Sequence, residues 1–261
     1  MRSAPDSPLA RGHLHWIKGA VLRSPPVHGE IDSPRAANAL FADDSKDQVL
    51  GTKHRLVRVG EEAMNAPVRI EKDPVVTKLD GGQRALQTWP LPLDEAFLEE
   101  FLTYLFTNYW EQVIFGPIIE GAAYELTCPC KPNRISKFDG YLTISFDGPH
   151  FHLCIGENKG SKDSPTPEDL KARRKPSKAE IFRRLDKDGA PISWGFEMKN
   201  GADEPMISIF FASPFLSAGD KVSKEPIWDR LTMWRDISKR FLGREAEEFD
   251  ASGRGYRGGH G

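Results

Sequence analysis

Alternation of hydrophobic and polar residues predicts a β-hairpin near the middle of the chain. Residues 139–156 contain two runs rich in aromatic and β-branched residues, on either side of the turn-forming sequence Asp-Gly-Pro-His. We expect Gly148 and Pro149 to form the loop. This register gives three cross-strand pairs: Asp147 with His150, Ser145 with His152 and Thr143 with Cys154.

The two strands of this hairpin agree on which face is apolar. Side chains alternate between the two faces of a strand. Six apolar residues therefore share one face and are expected to be buried: Leu142, Ile144, Phe146, Phe151, Leu153 and Ile155. The opposite face carries Tyr141, Thr143, Ser145, Asp147, His150, His152 and Cys154. This agreement supports the register.

Helical spacing of apolar residues predicts a long first helix and a long last helix. The first is expected over residues 94–115, with acidic residues in its first turns, where the helix dipole favours them. The last is expected to begin near Pro226 and to end at Gly243. Two short helices are predicted between them, one capped by Thr166 and one opened by a capping box at residues 177–180.

The order of predicted elements indicates an α+β fold. Strands are expected at residues 118–130, 141–147, 150–156, 191–199 and 205–212. Because short turns join neighbouring strands, we predict a mainly antiparallel sheet of about five strands with helices packed on one face. Residues 84–247 are predicted to form this single domain. Trp194 is expected to pack in it, or alternatively to flank a ligand.

Both ends of the chain differ in composition from the predicted domain. Residues 1–83 have few apolar residues and no periodicity, which is typical of disorder. An alternative is that translation starts at Met64, because the codons of residues 60–63 can include a purine-rich ribosome-binding sequence. Residues 248–261 form a Gly- and Arg-rich tail that is also predicted to be disordered.

Composition limits the classes of function. The net charge of −2 argues against a general nucleic-acid role, and no apolar run is long enough to span a membrane. Three cysteines do not make a disulfide framework, and free thiols fit a reducing cytoplasm. The oligomeric state is not predicted.

A cluster of metal-binding residue types coincides with the hairpin. All three cysteines and two histidines lie between Cys128 and Cys154. Residues four apart on a strand are about 13 Å apart, so His150, His152 and Cys154 cannot all bind one ion. The preferred ligand set for zinc or iron is Cys128, Cys130, His152 and Cys154. His150 is then expected to support the site from outside the ligand set.

Other interpretations of these residues stay open. The cysteines are equally consistent with small buried hydrophobic residues, and the histidines with a solvated face. Catalysis without a metal is a further alternative. Residues 159–187 contain ten Lys or Arg and five Asp or Glu. Lys159, Arg173 and Arg174 are candidates for binding a small anionic ligand, and the alternative is a solvated helix face.

Two resemblances bear on function. The segments HFHLCIGENKG, SWGFEMKNG and ISIFFASPFL resemble an uncharacterised bacterial protein family over residues 84–243, which brings no activity with it. Residues 150–154 are similar to the HxHxH strand of histidine-triad nucleotide hydrolases, with Cys154 in place of the third histidine. That resemblance implies phosphoryl or nucleotidyl transfer, with His152 as the nucleophile and His150 beside it. The remaining alternative is a non-enzymatic binding or regulatory module.

Overall fold

The computed structural model describes residues 73–217 and 221–256, so the predicted Met64 start lies outside the described residues. The strands are β1 (Val75–Leu79), β2 (Arg84–Pro90), β3 (Ile114–Gly116), β4 (Ile118–Ile119), β5 (Ala122–Ala123), β6 (Leu126–Thr127), β7 (Arg134–Phe138), β8 (Tyr141–Ser145), β9 (His150–Cys154), β10 (Gly160–Ser161), β11 (Ser164–Pro165), β12 (Pro176–Leu185), β13 (Pro191–Asn200) and β14 (Pro205–Phe210). The α-helices in this part of the chain are α1 (Glu95–Asn108), α2 (Glu168–Arg174) and α3 (Thr232–Leu242). Single 3₁₀ turns are Asp80–Gly82, Trp110–Gln112, Trp228–Leu231 and Glu248–Ala251.

Two antiparallel sheets organise the fold. The larger has seven strands in the order β1-β2-β12-β13-β14-β3-β6, and the smaller has the order β7-β8-β9. The prediction of a mixed fold with a mostly antiparallel sheet is confirmed, but the count of about five strands in that sheet is wrong. No helix in the described part of the chain is long and apolar enough to cross a membrane.

β12 corrects the prediction of a second short helix. The capping box at residues 177–180 indicated a helix start, yet this segment lies in a ten-residue strand. β12 pairs with β2 on one side and with β13 on the other. A cap is worth about 1 kcal/mol, whereas two ladders satisfy the backbone groups along both edges of the strand. Long-range pairing therefore overrides the local signal.

Helix ends follow their capping residues. The Asp94 carboxylate accepts a hydrogen bond from the Phe97 amide at 2.8 Å and begins α1, as the acidic first turn predicted. Gly243 ends α3 in the left-handed conformation, with φ of 61°, which also confirms the prediction. α1 ends earlier than expected, because the chain after Asn108 turns to form β3 against β14. Thr166 does not cap α2, since its hydroxyl donates to Asn158 Oδ1.

α1 lies between the two sheets. Phe101 contacts Phe196 of the large sheet with ring centroids 4.8 Å apart, and Phe106 contacts Phe151 of the small sheet at 5.3 Å. α3 contacts the large sheet through Trp234, whose ring lies 5.7 Å from that of Trp89. α2 buries none of its residues. The helices were predicted to pack on one face of the sheet, but the three described helices do not all do so.

The predicted hairpin is present as β8 and β9, with its register displaced by two residues. Ser145 pairs with His150, and Thr143 pairs with His152. The loop has four residues, and the Phe146 amide donates to the Pro149 carbonyl across it. A shift of two residues leaves every side chain on its predicted face, because side chains alternate with a period of two. Five of the six residues of the predicted apolar face are buried, with Leu142 and Ile144 fully covered, and Phe151 is partly buried.

The described ends of the domain extend beyond residues 84–247. β1 begins at Val75, before the predicted start. In the predicted tail, Asp250 is buried and the Tyr256 ring packs edge-on against Phe215 at 5.9 Å. Residues 248–256 therefore contribute contacts to the folded domain.

Candidate functional site

The structure separates the predicted cysteine ligands. The Cys130 sulfur accepts a hydrogen bond from the Asp147 amide at 3.4 Å, beside the turn of the hairpin. Cys154 pairs with Tyr141 at the other end of the same hairpin. The strand path from Tyr141 to Asp147 is about 20 Å, at roughly 3.3 Å per residue. Cys130 and Cys154 therefore lie at opposite ends of β8 and β9.

Two of the thiols are buried and neutral. Burial, and to a smaller extent the neighbouring Cys130, raise the pKa of Cys128 to about 12. Burial also raises the pKa of Cys154, whose thiol donates to the Gly156 carbonyl at 3.4 Å. The thiolate is the form that binds metals and attacks electrophiles, so both thiols are poorly prepared for either role.

The described residues contain no converged metal-ligand set. Across residues 73–217 and 221–256, no group of three or more His, Cys, Asp or Glu side chains is arranged to hold an ion. Cys128, Cys130, His152 and Cys154 are accordingly not brought together as four ligands. Binding of zinc or iron stays a prediction, without support from the arrangement of these side chains.

His150 and His152 are neighbours on the exposed face of the small sheet. Their ring centroids are 5.1 Å apart, and His152 Nδ1 is hydrogen-bonded to the Thr143 hydroxyl at 2.7 Å. Partial burial lowers the pKa of His152, and His150 and Arg134 lower it further. The His152 imidazole is therefore neutral at neutral pH, the form that binds a metal ion.

The predicted anion-binding cations have protein partners. Arg173 forms an ion pair with Glu204 at 2.7 Å, and Arg174 donates to the Asn158 side chain at 2.6 Å. Lys159 lies 3.9 Å from the Glu157 carboxylate. These contacts tie α2 and the loop before it to neighbouring turns. A role for the three cations in ligand binding stays a prediction.

A cavity of about 510 Å³ lies where the large sheet loses a strand. β13 begins at Pro191, but β14 ends at Phe210, which is paired with Gly195. The last backbone hydrogen bond between these two strands runs from the Phe211 amide to the Trp194 carbonyl. After Phe211, the polypeptide leaves the sheet. The space beside the start of β13 is the sheet-end cavity, lined chiefly by residues 111–114, 193–194 and 210–213, together with Glu125, Arg230 and Tyr256.

Three residues that line the sheet-end cavity carry buried polar atoms without a hydrogen-bond partner in the described structure. These atoms are the Ser193 hydroxyl oxygen, the Trp194 indole nitrogen and the Arg230 Nε. Ser193 is 3% exposed and Trp194 is 1% exposed. Leaving a buried polar group unsatisfied costs about 1–3 kcal/mol. Such groups call for a physical explanation, and a bound ligand is one.

The sheet-end cavity has an apolar interior and a polar mouth. Val113, Trp194 and Phe211 are buried in its wall, whereas Glu111 and Thr127 are exposed at its rim. Burial raises the pKa of Tyr256, so its phenol is neutral at neutral pH. The wall therefore offers aromatic surface and several hydrogen-bond donors, but a single guanidinium among the described lining residues.

Comparison with known proteins places the chain in a family. A family model described as a family of unknown function, DUF7676, matches residues 75–243. The chain belongs to the DUF7676 family. The match confirms the predicted membership of an uncharacterised family, and it covers β1 through the end of α3, including most of the cavity lining. A search of the curated proteins found no match.

Sequence analysis did not identify this cavity. Trp194 was the lining residue with a sequence signal, because it was considered as a residue that could flank a ligand. Ser193 and Arg230 lie far apart in sequence and belong to no motif. Their proximity depends on where β14 ends, a property that no local pattern encodes.

Proposed function

We propose that this DUF7676 member binds a small anionic molecule in the sheet-end cavity. The observation that carries the proposal is that three residues of the cavity lining, Ser193, Trp194 and Arg230, each have a buried polar atom without a partner in the described structure. The indole nitrogen and the guanidinium nitrogen can only donate, and the serine hydroxyl can also donate. A ligand with negatively charged oxygens supplies the acceptors that these groups lack.

Size and wall chemistry support the proposal. Ligand pockets have volumes of roughly 300–1,000 Å³, and the volume of about 510 Å³ lies in this range. Trp194, Phe210 and Phe211 provide aromatic surface for an apolar part of the ligand. Hydrogen bonds from a guanidinium to a carboxylate are about twice as strong as neutral ones, so Arg230 is expected to dominate the binding energy.

A binding role fits the lining better than catalysis does. Among the described lining residues there is no histidine, cysteine or lysine. Ser193 consequently has no imidazole or amine in the lining to accept its proton, as a serine nucleophile requires. We therefore favour a non-enzymatic binding or regulatory module.

Thermal unfolding with defined carboxylates tests this function. Benzoate, phenylacetate and 3-phenylpropionate are the probes, with inorganic phosphate for comparison. A ligand at about one hundred times its Kd stabilises the folded state by about 2.7 kcal/mol. We expect a rise in Tm for at least one carboxylate and its loss in Arg230→Met.

Arg173→Met is the matched control for Arg230→Met. It removes an exposed arginine that the sequence also marked as a candidate anion ligand. Binding that survives Arg230→Met but is lost in Arg173→Met would move the site to the basic segment. The absence of any Tm rise with all four probes would contradict the proposal.

Metal binding is a second candidate function. The 5.1 Å separation of the His150 and His152 rings favours it, since neutral imidazoles are common metal ligands. Elemental analysis of purified protein, repeated on His150→Ala/His152→Ala and on Cys128→Ser, tests it. Zinc or iron lost in the histidine variant alone would assign the metal to the exposed pair, and metal-free wild type would remove the candidate.

Histidine-dependent phosphoryl or nucleotidyl transfer is a third candidate. It depends on the exposed position of His152 on β9, where a substrate has access. Incubation with labelled nucleotides followed by mass spectrometry tests for a phosphoryl or nucleotidyl group on His152. Labelling of the protein that is unchanged in His152→Ala would rule out this residue as the nucleophile.

A further inference from the structure

Ser193 and Trp194 project from opposite faces of the large sheet, because side chains alternate along a strand. Ser193 pairs directly with Arg184 of β12, so these two side chains share one face, which we call the Ser193 face. The Cβ atoms of directly opposite residues are about 4.5–5.5 Å apart. A group bound to the Ser193 hydroxyl is therefore within reach of the Arg184 guanidinium.

Arg184 is a cation without a counter-ion in the described part of the chain. Its Nε is buried and lacks a hydrogen-bond partner there, and no described carboxylate forms an ion pair with it. Burial lowers the pKa of Arg184 and the nearby Arg84 lowers it further, whereas Glu197 and Asp80 oppose the shift without reversing it. A buried charge is costly unless it is paired, so this guanidinium and the buried Ser193 hydroxyl call for the same acceptor.

Arg84 adds a second guanidinium to the Ser193 face. Leu86 pairs with Arg184, and Arg84 precedes Leu86 by two residues, so alternation places Arg84 on this face too. Such diagonal neighbours are about 7–8 Å apart, within reach of long side chains. The Arg84 Nε donates to the Asp80 carboxylate, and its terminal nitrogens are further donors. Two guanidiniums beside one paired carboxylate leave a net positive charge.

Aromatic rings lie next to these donors. Phe182 precedes Arg184 by two residues on the same face and pairs with Gly195. A β-carbon at Gly195 would lie 2.5 Å from the Phe182 ring, so the glycine lets this ring lie over β13. The ring centroids of Phe182 and Phe210 are 6.1 Å apart, and Phe210 lines the sheet-end cavity. The Ser193 face therefore offers apolar surface beside the cationic group.

We propose that the sheet-end cavity binds a phosphate monoester on the Ser193 face. Its phosphate group is held by Arg184, Arg84 and Ser193, and its apolar group contacts Phe182 and Phe210. A phosphate monoester has three acceptor oxygens and a charge of about −2, so it can satisfy both guanidiniums and the hydroxyl. A carboxylate has only two oxygens and a single charge. This inference rests on the proposed function and names the class of anion.

Titration calorimetry on the full chain tests the inference with phenyl phosphate, inorganic phosphate and benzoate. Phenyl phosphate and benzoate share a ring and differ in the anionic group. We expect phenyl phosphate to bind about tenfold more tightly than benzoate, and inorganic phosphate to bind less tightly than phenyl phosphate because it lacks the ring.

Variants of Arg184 assign the difference to this residue. Arg184→Met should remove the tenfold preference for phenyl phosphate, and Arg184→Lys should restore part of it. Benzoate binding, which depends on Arg230, should survive Arg184→Met. Arg173→Met removes an exposed, paired arginine and is the control, which should leave the preference unchanged. A preference that survives Arg184→Met would overturn the inference.

Stability separates binding from a structural role of Arg184. An unpaired buried cation contributes no stabilising ion pair, so Arg184→Met should not lower the urea midpoint of the ligand-free protein. A lower midpoint would show that the guanidinium already has a partner, and the inference would be wrong. If benzoate binds as tightly as phenyl phosphate, the inference is wrong and the proposed function stands. If none of the three probes binds, both are wrong.

Discussion

Ser193 is the residue that best separates function from stability. Its hydroxyl is buried and has no hydrogen-bond partner among the described residues. Removing a buried, unsatisfied group does not cost the hydrogen bond that it never formed. A buried hydroxyl with only a structural role would already have a hydrogen-bond partner. Its removal would therefore lower the free energy of unfolding.

We predict that Ser193→Ala leaves the unfolding free energy unchanged or raises it by about 1 kcal/mol. Urea denaturation measures this change. The same variant should reduce the rise in Tm produced by a carboxylate that binds in the sheet-end cavity. A loss of stability above about 1 kcal/mol would show that the hydroxyl has a partner in the folded protein.

The three thiols are expected to differ in reactivity. Cys128 and Cys154 are buried with raised pKa values, whereas Cys130 is partly exposed. Only the thiolate reacts with alkylating reagents. We predict that iodoacetamide at pH 8 modifies Cys130 first in the native protein, as peptide mass mapping over time would show. Rapid labelling of Cys154 would contradict its burial and reopen a reactive role for it.

At the scale of the element, two carboxylates lie opposite each other on the neighbouring strands β12 and β13. Glu180 and Glu197 are directly paired in the register of these strands. Burial raises the pKa of Glu197, and the neighbouring Glu180 raises it further. The folded protein therefore holds a proton on Glu197 at pH values where the unfolded chain has released it.

We predict that this pair lowers stability as pH rises. A carboxyl with a raised folded-state pKa contributes stability below its unfolded pKa and loses it as pH passes through the folded value. Glu197→Gln should flatten this fall and stabilise the protein at pH 7 in urea denaturation across pH 4 to 8. Glu204 is a control for which the opposite change in stability is expected, because the hydrogen bond from Arg173 lowers its pKa. Glu204→Gln should therefore lower the stability at pH 7.

The helices and strands also show which structural features local sequence patterns predict correctly. The faces of β8 and β9 were predicted correctly, because alternation with a period of two survives a register shift of two residues. The capping residues Asp94 and Gly243 located the start of α1 and the end of α3. β12 was predicted as a helix, since the evidence for its two partner strands lies far away in the chain.

At the scale of the molecule, Arg183 joins segments that are distant in sequence. Its guanidinium donates to Gln87 at 2.8 Å, to Asp250 at 2.5 Å and to Glu247 at 3.0 Å. It also lies over the Phe249 ring, 4.6 Å from the centroid. The Arg183 and Asp250 side chains are nearly fully buried, so this network ties the C-terminal segment to the large sheet.

We predict that Arg183→Met lowers the unfolding free energy by about 3–5 kcal/mol, because Asp250 is left buried without its cation. Arg183→Met/Asp250→Asn should recover part of the loss. Arg173→Met, which breaks an exposed pair, should cost only about 0–1 kcal/mol. Guanidinium chloride unfolding compares the three variants. If the double variant loses as much unfolding free energy as Arg183→Met, then lost packing, and not the unpaired charge of Asp250, causes the destabilisation.

The amino-acid sequence alone determined the features that depend on neighbouring residues. These are the buried and exposed faces of the hairpin, the caps of two helices and the mostly antiparallel character of the fold. Alternation, helical spacing and capping act over a few residues, so they are visible without coordinates.

Only the tertiary structure decided the position of β12, the separation of Cys130 from Cys154 and the existence of the sheet-end cavity. Each depends on which distant segments pair and on where a strand loses its partner. β14 ends opposite Gly195 while β13 continues to Pro191, and this difference in length creates the space that Ser193, Trp194 and Arg230 line. Strand pairing is settled by contacts across the whole chain, which is why no local pattern could place the site.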